Sequence, residues 1–413
     1  MNLPIATRYA LRSLLRHRRR SVLSAVGIAV GCSVCMFMVG FVRGEGETIM
    51  RAAAESGSGH LRFAPKGWRE TGNDRLRLPA WQELLDLADR VSGVLVACPH
   101  ARSDALLAMG TRTAGVIMLG VDAEREMRAN RLVQKVTNGR YLRPGETGAV
   151  VIGGSLAERL DVDVEDDLMV TVSAQDGEMQ SAMLRVVGIV DTGSKMLDTA
   201  LCHVSLRDVA ELTGYDRVGE ISVLLADADL LPQAIAEVTG PLGAQADIVT
   251  WLEIIPELAS GVEVDETWAK IMVTIVTLVV FLGIASAQLA AVLERRREFA
   301  VLAALGMKGG RLVRIMLTEG VILGVTGGVL ALFIGLPTTY LSATRGIDFR
   351  GWSGGADYGI SNILLEPVVY GDFGWWLVPL ALGLAVVSTT LSSLYPAWYA
   401  LHTDPASALR VDQ

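Results

Sequence analysis

The sequence predicts a membrane protein of α-helical class: four transmembrane helices, with a large extracytoplasmic α+β domain between the first and second spans. Three observations carry this. Of 413 residues, 51% are hydrophobic and 20% charged, and the mean hydropathy is +0.39, which a soluble globular chain does not reach. Four uncharged stretches, Val22–Val42, Ile271–Leu293, Gly320–Thr344 and Phe373–Leu401, each meet the roughly 20 residues that a helix needs to cross a bilayer. The formal net charge of −8 also hides a partition, because residues 44–267 hold 20 Lys and Arg against 36 Asp and Glu while the remainder holds 17 against 9. An acidic soluble domain is set into a basic, apolar frame, which argues against nucleic acid as a partner.

The expected order is a cytoplasmic interfacial helix (1–20), a first span (21–43), the α+β domain (44–267), a second span (268–293) and a cytoplasmic loop (294–314). A third span (315–344), an outer loop (345–372), a fourth span (373–397) and a cytoplasmic tail (398–413) complete it. Arg8, Arg12 and Arg16 recur every fourth residue and so share one helical face, leaving Ile5, Leu11, Leu14 and Leu15 for lipid or protein. Basic flanks are retained on the cytoplasmic side. Arg16, Arg18, Arg19 and Arg20 before the first span, and Arg295, Arg296, Arg297, Lys308, Arg311 and Arg314 after the second, therefore face inward. Both termini are then cytoplasmic, and the 44–267 domain faces a periplasm or its equivalent. The first apolar run is too long for a signal-peptide core and is followed by no small-x-small cleavage site, so an uncleaved anchor is expected. Pro396 is expected to stop or kink the last span.

Within the domain, residues 60–65 read as a strand, and Pro79-Ala80-Trp81-Gln82-Glu83 opens a helix with Leu84, Leu85, Leu87 and Ala88 on its apolar side. Ala114–Val121 and Glu220–Ala226 read as strands and Leu230–Thr239 as a helix. Asp176-Gly177 between the alternating runs Leu168–Ala174 and Ser181–Val190 is the strongest hairpin signal. Pattern leaves open whether the domain is one unit or two lobes.

Several chemistries are excluded or weakened. No Gly-x-x-x-x-Gly-Lys-Ser/Thr occurs, so the chain has no phosphate-binding loop of its own and hydrolyses no ATP by itself. The five histidines lack metal-ligand spacing, and no nucleophile elbow is present. Cys32 and Cys35 have redox spacing but fall inside an apolar span, where they act as small hydrophobes. Cys98 and Cys202 share the soluble domain, where pairing and two separate thiols both stay open, since a domain of this size requires no staple.

Two segments carry the candidate site. After the second span, Glu294, Arg296, Arg297 and Glu298 supply charge while Phe299, Leu302 and Leu305 at i, i+3 and i+6 supply an apolar face ended by Gly306. That is a cytoplasmic loop holding positive charge, or a coupling helix whose Phe299 and Leu302 dock in a groove of a soluble partner. In the third span Gly320, Gly324 and Gly328 share one face, as Gly27 and Gly31 do in the first, and small residues at this spacing let helices approach closely. Glu319 stands at the cytoplasmic end of the third span, where a carboxylate snorkels or pairs with a base such as Arg314.

Glu-Arg-x-Arg-Glu-Phe-Ala-Val-Leu-x-Ala-Leu-Gly from Glu294, the glycine-rich stretch from Glu319, and Tyr395-Pro396-Ala397 with Asp404-Pro405-Ala406-Ser407-Ala408-Leu409-Arg410 resemble the ABC-transporter permease family. That family includes the macrolide exporter, the cell-division permease and the lipoprotein-releasing permeases. Ser58-Gly59-His60-Leu61-Arg62-Phe63, Gly139-Arg140-Tyr141-Leu142 and Val186–Asp198 resemble the lipoprotein-releasing branch. The resemblance implies a cytoplasmic ABC ATPase dimer that binds ATP and magnesium, a second or related permease, and a periplasmic carrier or adaptor. It implies release of lipoproteins from the inner membrane. Export of drugs, peptides or toxins, and regulation of cell-wall hydrolases without transport, are the alternatives.

Overall fold

The computed structural model describes residues 16, 18–71, 76–243, 245–254, 256–294, 309–349, 358–360, 363–365 and 367–402. In chain order the principal elements begin with α1 (Arg18–Ala53), a π-turn at Ala54–Ser58, β1 (Leu61–Pro65), α2 (Trp81–Asp89), β2 (Val94–Met109), β3 (Arg112–Val121) and α3 (Ala123–Ala129). There follow β4 (Val136–Gly139), β5 (Ala149–Gly153), α4 (Gly154–Leu160), β6 (Asp167–Ser173), β7 (Met179–Val190), α5 (Lys195–Ala200), β8 (Cys202–Ser205), α6 (Leu206–Thr213), β9 (Glu220–Leu225), α7 (Leu231–Leu242) and β10 (Ala246–Thr250). The chain closes with α8 (Pro256–Glu294), α9 (Gly309–Arg345), the short strands β11 (Ile347–Asp348), β12 (Tyr358–Ile360), β13 (Ile363–Leu365) and β14 (Val368–Val369), then α10 (Leu377–Ser392) and α11 (Leu394–His402). Two compact units result: residues 1–45, 263–347 and 370–413, and residues 46–262 with 348–369.

The first unit holds four helices long and apolar enough to cross a membrane, within 21–58, 263–290, 309–345 and 377–398. Hydropathy located all four, but their ends follow other forces. The helix of the first span continues to Ala53, because nothing between Val42 and Ala53 breaks it and the glycines there are tolerated. The break in the fourth span falls at Ser393 rather than at Pro396. Pro396 sits in the first turn of α11, where its missing N–H would have no intrahelical partner anyway, so it starts a helix instead of ending one. Ahead of α10, Asp372 N–H donates to the Gly40 carbonyl at 2.7 Å and the Asp372 carboxylate lies 3.3 Å from Arg43. That guanidinium stands 4.7 Å over the Trp376 ring, a cation–π contact.

The second unit is organised by one strand. β2 is 16 residues long and belongs to two cores. Its first half pairs antiparallel with β9 from Val94 to His100, and β9, β1 and β10 continue an antiparallel sheet. Leu84 and Ala88 of α2 and Ala234, Val238 and Leu242 of α7 cover that sheet around Leu61, Phe63, Ile221 and Val223. Its second half pairs with β3 on one edge and β6 on the other. The pairings then return on themselves through β3–β8, β8–β5, β5–β7 and β7–β6, giving a six-stranded closed ring. Leu107, Met118, Ile152, Leu168, Val170 and Val186 fill it together with Leu156 and Leu160 of α4 and Val209 of α6. So the domain is two lobes that share a strand.

The expected hairpin forms as β6 and β7 with Met169 opposite Met183. Residues 348–369, expected as an outer loop, carry strands and belong to this unit, where Leu364 joins the cluster around Leu197 and Leu201.

Candidate functional site

At the entry to the domain the chain leaves α1 through the π-turn and reverses into β1. Gly59 has φ +69°, and a Cβ there would meet the backbone N and O of Val223 at 2.8 Å, so the position requires glycine. Ser222 Oγ donates to the Gly57 carbonyl at 3.0 Å, Ser56 Oγ donates to the Ala52 carbonyl at 2.7 Å, and Leu364 N–H donates to Ser56 Oγ at 3.2 Å.

Behind that turn lies a buried charge network that the sequence reading missed. Glu126 on α3 and Glu220 on β9 are 0% and 4% exposed, and His100, on β2 between them, is 1% exposed. His100 Nε2 is 2.8 Å from Glu126 and its Nδ1 is 3.6 Å from Glu220. Glu220 also takes Arg62 at 2.7 Å and Arg102 at 3.2 Å, and the Asn130 side-chain amide donates to Glu126 at 2.8 Å. Burial pushes the His100 pKa down, but the two carboxylates outweigh it and raise the value to about 9. Burial also works against charge on Glu220, yet Arg102, Arg62 and His100 hold it well below the usual carboxylate range. Next to this network His203, buried and hydrogen-bonded through Nδ1 to Tyr141 at 2.9 Å, is lowered to about 4 by burial. Both imidazoles are buried, and the carboxylates on either side of His100 set its value above that of His203. The only signal in the sequence was Arg62 inside the Ser58–Phe63 motif, and it named no partner.

The predicted residues separate into two groups. Glu294 ends α8, while Arg296, Arg297, Glu298, Phe299, Leu302, Leu305 and Gly306 lie outside the described residues. The glycine face of α9 meets α10. A Cβ at Gly320 would stand 3.1 Å from the Thr389 carbonyl, one at Gly324 would stand 2.9 Å from Val386 Cα, and one at Gly328 would stand 3.1 Å from Leu382 Cδ2. Gly31 of α1 is approached by the side chain of Val280 on α8. Gly27 departs from the expectation: it is exposed, and nothing among the described residues lies within 4 Å of its Cβ position. Its neighbour Ile28 is the buried one and packs on Gly327. Gly327 and Gly335, the latter against Met36, were missed because only glycines at four-residue spacing were read from the sequence. Glu319 is 4% exposed, so it is held inside the helix packing rather than snorkelling to water.

Cys98 and Cys202 are buried free thiols, so no disulfide joins them. Burial pushes Cys202 up to about 12 and Cys98 higher still. Among the described residues no group of three His, Cys, Asp or Glu is placed to hold a metal ion.

Four candidate spans with a large α/β domain between the first two make the architecture of a membrane permease. Residues 21–240 match the family model of the MacB-like periplasmic core domain, and residues 270–405 match that of the FtsX-like permease C-terminal. The chain belongs to the family of permeases with a MacB-like periplasmic core domain, multi-pass proteins of the bacterial inner membrane. It is similar to the lipoprotein-releasing system transmembrane protein LolC of Xylella fastidiosa strain Temecula1, 25% identical with 99% of each chain covered. It is also similar to LolE of the same system from Haemophilus influenzae, 22% identical over 94% of this chain and 93% of the relative. A more distant likeness, 22% identical over 98% of this chain but 60% of the relative, is to the macrolide export ATP-binding/permease protein MacB of Marinobacter nauticus.

Proposed function

We propose that this chain is the permease subunit of an ATP-driven ABC complex that releases lipoproteins from the inner membrane. The observation that carries the reading is the end-to-end similarity to a lipoprotein-releasing subunit, with 99% of both chains aligned. A separate pair of cytoplasmic ATPases binds ATP and magnesium, since this sequence has no phosphate-binding loop. In this reading the 294–308 segment docks on them, the basic flanks keep it and both termini in the cytoplasm, and a second or related permease completes the complex.

The physical route from the membrane to the domain is helical. α1 has 36 residues and α8 has 39, lengths of about 54 and 58 Å at helical rise, and each continues from an apolar span into residues of the α/β domain. In this reading a change imposed at the cytoplasmic ends is carried along these two helices. The second reading, export of drugs, peptides or toxins through a periplasmic adaptor, is favoured by the match to the MacB-like core. Regulation of cell-wall hydrolases without transport is a third.

Purification in mild detergent followed by mass spectrometry tests the choice. Lipoproteins together with an ATPase are the expected companions; an adaptor without lipoproteins, or a hydrolase, would replace the first reading by the second or third.

A further inference from the structure

The ring of strands in the α/β domain has one incomplete seam. β3 pairs with β2 along its whole length, from Arg112 to Val121, but with β8 only at Leu119, Gly120 and Val121. The reason is local. β8 begins at Cys202, because the residues before it form α5, whose C-terminal turn is closed by the Leu201 N–H donating to the Leu197 carbonyl. From Gly115 to Met118, therefore, the outer edge of β3 has no strand partner among the described residues. A cavity of about 760 Å³ lies there, lined by Val116, Ile117, Met196, Leu201, Arg102 and Asn130 among others. Ile117 and Met196, 48% and 60% exposed, stand as apolar side chains open to solvent. Gly115 is exposed, and nothing lies within 4 Å of its Cβ position.

An unpaired strand edge presents alternating N–H and C=O groups that an extended backbone satisfies and a hydrocarbon chain does not. The walls add apolar contacts. We propose that this seam binds a short extended segment of a separate, unfolded polypeptide, the substrate handled by the permease, which adds to β3 as a strand. At about 3.3 Å per residue the open edge takes roughly four or five residues. Recognition is through backbone, so it tolerates varied sequences with apolar side chains at every second position. Only the statement that the bound polypeptide is substrate rests on the transport reading above.

The test uses the full chain in nanodiscs of phosphatidylethanolamine and phosphatidylglycerol. The probe is a fluorescent peptide of alternating Val and Thr, about eight residues long to span the edge with overhang, alongside two isomers N-methylated at the odd or the even residues. The expected result is saturable binding of the parent peptide and a loss of at least about tenfold for one methylated isomer, which lacks the donors facing β3. Gly115→Trp fills the groove from a position with open space around it, and Ile117→Glu alters an exposed wall. Each is expected to weaken binding about as much while leaving thermal unfolding and recovery of the partner ATPase unchanged. Equal affinity for all three peptides, binding unaffected by both variants, binding of palmitate in place of peptide, or self-association that Gly115→Trp abolishes would each overturn the proposal. ATPase recovery separates the two readings: if the unsubstituted chain recovers the ATPase yet binds no peptide, this inference alone is overturned.

Discussion

Glu126 is a carboxylate with no exposure to water, tolerable only because His100 and Asn130 meet both its oxygens. His100 and His203 then give the domain a pH dependence with two limbs. His100 is held at about 9 in the folded state against about 6.5 in an unfolded chain. Its contribution is complete below pH ~6.5 and is lost as pH rises through about 9. His203, lowered to about 4, acts in the opposite sense: its neutral form is favoured, so stability falls as pH drops below ~6.5 toward its folded value. The unfolding temperature of the α/β domain is expected to peak near pH ~6.5. Glu126→Gln removes the strongest support for the His100 charge. It should lower stability by about 3–5 kcal/mol and flatten the alkaline limb. An unchanged alkaline slope in that variant would show that His100 is not charged in the fold. None of this was legible from sequence, because His100 and Glu126 are 26 positions apart and His100 and Glu220 meet only through strand pairing. No local pattern records such a contact.

At the level of elements, legibility followed the range of the force that makes each one. Spans depend on hydropathy summed over a window, and the β6–β7 hairpin depends on Asp176-Gly177 between alternating strands, so both could be read. The double use of β2, the closure of the ring through β8, and the membership of residues 348–369 in the α/β domain depend on contacts between distant segments. Helix packing lies between these cases, since spacing identifies a face but not its partner. Gly324 and Gly27 separate the two. A leucine at Gly324 must displace Val386 Cα and the Ala385 carbonyl, 2.9 and 3.0 Å from its Cβ position, and backbone cannot yield as a side chain tip can. Gly324→Leu should force α9 from α10 and cost about 1–3 kcal/mol, whereas Gly27→Leu should leave the stability of the isolated subunit within about 0.5 kcal/mol. Unfolding in detergent, followed by tryptophan fluorescence, measures both. Equal losses would mean that Gly27 also has a close neighbour, and a second permease copy in the membrane is where one would be sought.

For the whole molecule, the proposed function needs an event on one side of the bilayer to reach the other, so orientation comes first. A cysteine placed at Asp176 should react with an impermeant thiol reagent in whole cells and one placed at Lys308 should not. The native thiols do not confuse that readout, because all four described cysteines are buried. Reversal of the labelling pattern would overturn the inward placement of the 294–314 segment. In the proposed reading, the sequence of this segment offers Phe299 and Leu302 as apolar anchors for a groove on an ATPase, with Arg296, Arg297 and Glu298 as a charged rim. Burial of such side chains contributes about 1.5–3 kcal/mol each, and a few central anchors dominate an interface. Phe299→Ala with Leu302→Ala should therefore weaken docking by at least about tenfold, even after the costs of association are discounted. Because the four spans and the α/β domain are untouched, the variant should insert and unfold as the parent does, yet copurify poorly with the ATPase and fail to support release. Gly324→Leu should show the converse, with the ATPase recovered and the membrane helices disturbed. If the double variant recovers its ATPase and works normally, the segment is a charged loop, and coupling must be assigned to other cytoplasmic residues.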